Sequence, residues 1–261
     1  GFFPVSLSTH QEVRVQPLPA RQMAAAAPVP KLPAPAVADP ALSARRLADL
    51  RNRVEGCHQC SLGETRTNTV FGSGSPESRL MFVGEAPGYH EDQQGRPFVG
   101  QAGKLLDKLL AGIDLTRDEV FIANVLKCRP PENRDPQSEE IGLCREFLEQ
   151  QIEIIEPLVI CTLGNFATKL LTGKPDGISR VHGCPQEMQG HAKIKLFPVY
   201  HPAAALYTPS NLKALEADFD LLPELLGDFV PQPLVETIPV ESELGVEKTD
   251  TQPEPEQLGL F

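Results

Sequence analysis

The sequence predicts an α/β fold in which helices cover both faces of a mostly parallel, four-stranded sheet. Three observations predict it. Four short apolar runs, at 80–83, 120–126, 158–163 and 194–200, have the length and composition of strands buried on both faces. Stretches with helical spacing of apolar residues lie between and around them. Alternation of the two implies right-handed crossovers, which leave the connected strands parallel.

In chain order, "ALSARRLADLRNRVEG" at 41–56 is an amphipathic helix, followed by the first strand at 80–83. "GQAGKLLDKLLAGI" at 100–113 is the helix that leads to the second strand. "SEEIGLCREFLEQQIEIIE" at 138–156 leads to the third, "GNFATKLLTG" at 164–173 leaves it, and "SNLKALEADFDLLPELLG" at 210–227 follows the fourth. In such sheets the ligand crevice lies beyond the carboxyl ends of the strands. The stretches found there are "GEAPGYHED", "KCRPPENRDP", "GNFATK" and "HPAAALY", and most carry Gly, Pro, His or carboxylate residues that a plain connector does not need.

The 261 residues divide by composition. Residues 1–40 are rich in Pro and Ala without an apolar period, which predicts a disordered arm, and 41–226 are the folded domain. Residues 227–261 hold eight acidic residues against the single Lys248, which predicts a disordered acidic tail. A net charge of −11 argues against a nucleic-acid binder, but much of it sits in that tail. Lys127, Arg129 and Arg134 are bunched together and suggest a local basic patch.

No apolar stretch of about 20 residues is present, so no membrane span is expected. Without a charged n-region leading into an apolar h-region, a cytoplasmic protein is expected, with its six cysteines reduced, buried or metal-bound. Cys57 and Cys60 form a CxxC after the first helix, Cys128 follows the second strand and Cys144 lies within the next helix. Two from one turn and two from distant points can close one set of thiolates, on zinc or on an iron–sulfur cluster. Cys161 and Cys184 are read as structural.

Other residues at the strand ends carry chemistry. Phe98, on the loop "GRPFVG", serves as a core anchor or as a stacking platform for a flat ligand. Asn124, at the end of an apolar strand, needs partners for a buried amide. It either braces a loop or pairs with the adjacent donor and acceptor of a nucleobase edge. His201, in "VYHPAA", follows the last strand at the same sheet edge as Glu85 and Asn124, where a donor would stabilise developing negative charge.

Taken together, "GEAPGYHEDQQGRPFVGQAGKLLD", "ANVLKCRPPENRDP", "VYHPAAAL" and the four cysteines resemble the family 4 uracil-DNA glycosylases. The resemblance implies a three-layer α/β/α glycosylase fold and a 4Fe-4S cluster on Cys57, Cys60, Cys128 and Cys144. It implies uracil-containing DNA as the substrate and a monofunctional reaction that leaves an abasic site. By it, Asn124 reads the uracil edge, Phe98 stacks on the flipped base and His201 donates to the uracil oxygen. Glu85 and Ala86 open the catalytic loop. Where family 1 enzymes have a water-activating aspartate, this chain has Ala86, so Glu91 is a further candidate base, ahead of Asp92.

Leu206 is the candidate wedge for the emptied stack, with Ala205 as its alternative, and Arg129 is a candidate DNA contact. Tyr207 stands where an arginine is expected, which suggests stacking in place of a phosphate grip. "QLGLF" at the end of the tail looks like the bacterial sliding-clamp motif, with Gln257, Leu258, Leu260 and Phe261 as its anchors. A monomer is expected. The rival reading, from a different class, is a non-catalytic iron–sulfur module that binds nucleic acid.

Overall fold

The computed structural model describes residues 39–227. Most of the N-terminal arm and nearly all of the acidic tail, including Gln257, Leu258, Leu260 and Phe261, lie outside the described residues.

The first helix, α1 (Pro40–Glu55), starts where its sequence allows. Pro40 occupies the first turn, where no N–H is missed, and the Asp39 side chain accepts from the Ala41 N–H at 3.1 Å. Leu47, Leu50 and Val54 form its buried stripe. After α2 (Leu62–Thr65) come β1 (Ser73–Gly74), β2 (Leu80–Gly84), α3 (Tyr89–Gln94), α4 (Gln101–Gly112) and β3 (Phe121–Asn124). A 3-10 turn at Pro131–Asn133 leads to α5 (Ser138–Ile155), whose N-terminus carries a reciprocal cap between Gln137 and Glu140. β4 (Val159–Leu163), α6 (Asn165–Thr172), α7 (Ile178–Val181), β5 (Gln186–Met188), β6 (His191–Val199), α8 (Pro202–Ala205), α9 (Pro209–Phe219) and α10 (Leu222–Leu226) complete the order.

The sheet has six strands in the order β1-β3-β2-β4-β6-β5, where the sequence predicts four. The four expected strands are its parallel centre; β1 and β5 are antiparallel edges. Neither edge strand announces itself by an apolar run, because an edge need not be buried on both faces. β1 is two residues from a glycine-rich loop, and a side chain at Gly74 would sit 1.8 Å from the Val120 carbonyl. The predicted last helix is two, α9 and α10, separated by Asp220 and Leu221.

Alternate residues of β2 feed two cores. Met81 and Val83 pack with Leu47, Leu50 and Ile152 beneath α1 and α5, while Leu80 and Phe82 pack with Leu106, Leu110, Leu215 and Phe219 beneath α4 and α9. That is the expected three-layer α/β/α arrangement. The chain leaves β2 toward β3 on one side and leaves β4 toward β6 on the other, so the switch point lies between β2 and β4. Among the described residues no helix is long and apolar enough to cross a membrane.

Candidate active site

Gly84 and Asn124 are register partners at the carboxyl ends of β2 and β3. The pairing continues one step past β3, with the Val125 N–H donating to the Gly84 carbonyl at 2.9 Å and the Leu126 N–H to the Glu85 carbonyl at 3.0 Å. Asn124 is held rigidly as a result, and it is only 2% exposed. Its Oδ1 is buried without a hydrogen-bond partner. A native structure seldom leaves such an atom unsatisfied, since its desolvation is uncompensated until a donor arrives. Gly84 makes the room: a Cβ there would lie 2.4 Å from Asn124 Oδ1 and 2.8 Å from Phe98 Cζ.

Phe98 is fixed by its backbone. Its φ of 52° is in the left-handed region that a bulky residue avoids, so its surroundings must impose it. Arg117 donates to the Pro97 carbonyl at 3.0 Å and to the Phe98 carbonyl, and α4 approaches so closely that a Cβ at Gly103 would sit 1.8 Å from the Phe98 oxygen. Glu91 Oε1 accepts from the Val99 and Gly100 N–H groups at 2.9 and 3.0 Å, which ties down the far side of the loop. The Phe98 ring faces that of His201, with centroids 5.6 Å apart and planes at 29°.

His201 caps α8. Its Nδ1 accepts from the Ala203 N–H at 3.1 Å, so in the neutral ring the proton is on Nε2. Burial pushes its pKa down to about 4, against an opposing pull from Glu91, and the ring is neutral at pH 7. Gly164, at the end of β4 with φ +89°, lets the ring approach: a Cβ there would be 3.0 Å from His201 Cβ.

The carboxylates divide. Burial raises the pKa of Glu85, and the charge of Asp135 raises it further. Glu91 lies on α3 and spends one oxygen on the Phe98 loop. Asp92 is 3% exposed, and its Oδ1 accepts from the Thr67 and Asn68 N–H groups, a use confined to that turn. Ala86 packs against the core beneath α1 and α5. Ala205 is buried at 2% exposure, whereas Leu206 is 39% and Tyr207 87% exposed.

The expected basic patch does not form. Lys127 is 1% exposed, and Arg134 is paired with buried Glu140 at 2.6 and 3.0 Å. Arg129 lies over the Tyr89 ring, 5.2 Å from its centroid, and donates to Asn133 Oδ1 at 2.7 Å.

Behind β3, Cys57, Cys60, Cys128 and Cys144 line one cavity, walled by Val54, Leu62, Leu126 and Phe147. Arg66 Nη1 donates to Cys128 Sγ at 3.3 Å and the Lys127 N–H to Cys144 Sγ at 3.2 Å. Burial raises the thiol pKa of both cysteines, that of Cys144 to about 11. Among the described residues no three His, Cys, Asp or Glu side chains are grouped to hold a metal ion. A single zinc draws its sulfurs to about 2.3 Å from one point. The four thiols line one cavity and two of them accept N–H donors, a donor set that suits a thiolate-ligated metal centre. Cys161 is fully buried in β4 and Cys184 is exposed.

Residues 71–223 match the family model of the uracil DNA glycosylase superfamily. The chain belongs to that superfamily, in its type-4 branch. It is 49% identical to the type-4 uracil-DNA glycosylase of Sulfurisphaera tokodaii, over 69% of this chain and 84% of that protein. It is 46% identical to the type-4 enzyme of Archaeoglobus fulgidus, over 71% and 96% of the two chains. The Saccharolobus solfataricus type-4 enzyme is also 46% identical, over 68% and 85%.

Three supports of the site are hard to find in the sequence of a type-4 chain. Arg117 is remote from every motif and left no signal. Gly84 was visible only as part of "GEAPG". Lys127 did leave one, a lysine adjoining an apolar run, which is more simply read as surface charge.

Proposed function

We propose that this chain hydrolyses the N-glycosidic bond of deoxyuridine in DNA, releasing uracil and leaving an abasic site in base excision repair. The buried, unpartnered Asn124 Oδ1 above Gly84 carries the reading, because it waits for a donor of the kind found on a pyrimidine edge. The high identity to type-4 uracil-DNA glycosylases supports it.

The base leaves the duplex, at a cost of a few kcal/mol, and is held by Phe98 stacking and the Asn124 amide. As the C–N bond breaks its electron pair passes to uracil, and the neutral His201 Nε2–H donates to the oxygen that gains charge. No proton need leave His201, whose lowered pKa suits a hydrogen-bond donor rather than an acid. Glu85 orients the water that adds to the sugar and takes its proton, which in the end neutralises the released uracil anion, and Glu91 holds the Phe98 loop. Lys127 is turned inward to Gln151 and the Asn124 carbonyl, which favours a monofunctional enzyme without lyase chemistry. Leu206 fills the vacated stack, and Arg129 contacts the strand.

Cys57, Cys60, Cys128 and Cys144 would hold a 4Fe-4S cluster. Bound there, it supplies four iron–thiolate bonds joining three separate chain segments and a capacity for one-electron transfer. The free cysteines suit a reducing compartment, and we place the protein in the cytoplasm as a monomer. Gln257, Leu258, Leu260 and Phe261 are the anchors of a motif for the bacterial sliding clamp, with apolar side chains suited to a surface pocket.

The test is incubation with single- and double-stranded uracil oligonucleotides. Free uracil should appear, and the strand should break only after alkali. Wild-type rates in Asn124→Ala, Phe98→Ala and His201→Ala together would refute the site, and cleavage without alkali would refute monofunctional chemistry. Protein purified with little oxygen should contain iron and acid-labile sulfide. Clamp binding should vanish with Leu260→Ala plus Phe261→Ala while uracil release from short DNA is unchanged.

A further inference from the structure

Lys127 is among the largest fully buried side chains of the domain. Its ammonium donates to the Asn124 carbonyl at 2.7 Å and to Gln151 Oε1 at 2.6 Å, and Gln151 is itself oriented by donating to the Phe71 carbonyl at 2.8 Å. Both acceptors are neutral. Among the described residues no carboxylate pairs with Lys127. Burying an ammonium without an anion is strongly unfavourable, and two neutral acceptors offset that only in part. What stands beside it is the cysteine cavity: Lys127 lines it, its N–H donates to Cys144 Sγ, and Cys128 is the next residue.

We propose that Lys127 is the buried counter-ion of the centre held by Cys57, Cys60, Cys128 and Cys144, standing between that centre and the uracil pocket. The inference rests on the cluster reading above. Four thiolates outweigh the positive core of such a cluster, so the loaded site is an anion. It lies one short loop from Asn124, where the reaction gathers negative charge on uracil. An ammonium anchored to the Asn124 carbonyl, on a residue that lines the cysteine cavity, offsets that field where it would oppose bond cleavage. It also favours the reduced, more negative state of the cluster, since nearby charge sets the potential. Lys127 is thus a positioning and electrostatic residue and does not touch substrate.

The experiment compares full-length wild type, Lys127→Met and Lys127→Arg, prepared with little oxygen and assayed first for iron and sulfide. Reduction midpoints are then measured by spectroelectrochemistry. Lys127→Met should shift the oxidised-to-reduced ratio by about tenfold toward oxidised, about 59 mV for one electron, and Lys127→Arg should stay near wild type. Lys127→Met should also lower kcat for uracil release with KM within about twofold. A wild-type midpoint in iron-loaded Lys127→Met overturns the counter-ion role, and a lowered midpoint with intact kcat overturns the shielding of the pocket. Should Lys127→Met lose its iron, Gln151→Glu sets a carboxylate against the ammonium. It too must lower the midpoint, and an unchanged value overturns the proposal. Wild type free of iron and sulfide removes the cluster reading itself, a result separable from the others before any potential is measured.

Discussion

Asn124 and Cys128 stand four residues apart, yet the two sites they serve are built on opposite plans. The site around Asn124 is made by backbone. Strand register sets Asn124 over Gly84, Arg117 and Glu91 lock the Phe98 loop in a left-handed conformation, and a main-chain N–H sets the His201 tautomer. The cysteine cavity gathers side chains from the turn after α1, the loop after β3 and the middle of α5. The sheet preorganises the first site by itself, whereas the second depends on three chain segments meeting around one cavity.

That contrast is broken most sharply by paired substitutions. His201→Ala removes a donor aimed at developing charge and should slow uracil release by about 10²–10³-fold. Its stability should fall by only about 1 kcal/mol, because the Nδ1 cap on α8 is lost with the ring. Cys57→Ser plus Cys60→Ser should act the other way, costing about 4 kcal/mol of stability, as loss of a metal centre does, while the surviving folded fraction keeps its pocket. Rate assays alongside thermal denaturation check both halves. Equal losses of rate and stability in both variants would mean that the sites are not separable.

Gly84→Ala probes the pocket's dependence on close approach. Its Cβ would meet Asn124 Oδ1 at 2.4 Å and Phe98 Cζ at 2.8 Å, so one of them must move. Overpacking of this kind costs about 1–3 kcal/mol, and displacement of the amide should cut uracil release by at least about tenfold. Kinetics with a single-stranded substrate read it directly.

What could be read in the sequence follows the same division. The four central strands and the helices that pack on them were legible because each must bury a continuous apolar run or stripe, as Met81, Val83 and Leu106 do. β1 and β5 were not, since an edge strand needs neither. Gathering of Asn124, Phe98 and His201 was legible because strand ends share one sheet edge. Its locks were not: the Arg117 contact with Pro97 spans 20 residues, and a carbonyl partner leaves no mark on sequence. The burial of Lys127 was not legible either, because a lysine is seldom buried without a carboxylate.

Acid separates His201 from Glu85. The folded pKa of His201 is about 4 against an ordinary 6.5, so between those values the unfolded chain binds more protons. Its contribution to stability is therefore full above about pH 6.5 and is lost as pH falls toward 4. The donor itself stays neutral across that window and should give no inflection in rate near pH 6.5. Glu85 has its pKa raised, by burial and then by Asp135, so it loses its charge at a pH above that of a free carboxylate. The acid limb of uracil release should therefore belong to Glu85 and vanish in Glu85→Gln, within an overall slower profile. A limb that persists in Glu85→Gln and disappears in His201→Gln would reverse the assignment.

The smallest expected effect sits at the rim of the pocket. Tyr207 is 87% exposed, directly after Leu206 and α8, and it packs on little else in the domain. Removing it should change stability by no more than about 0.5 kcal/mol, the usual range for an exposed side chain. Its use is therefore sought in the substrate. A base stacked on an exposed ring gains about 1–3 kcal/mol and does so whatever its sequence, so Tyr207→Ala should raise KM several-fold and leave kcat alone. Tyr207→Arg exchanges stacking for a phosphate contact. Each such contact on a single strand steepens the fall of log affinity with log salt by about 0.7, so this variant should match or exceed wild-type binding at low salt and lose the advantage as salt rises. Measured at two salt concentrations, the wild type should show the shallower slope. Equal slopes in wild type and Tyr207→Arg, with an unchanged KM in Tyr207→Ala, would mean that the strand does not pass over this residue at all.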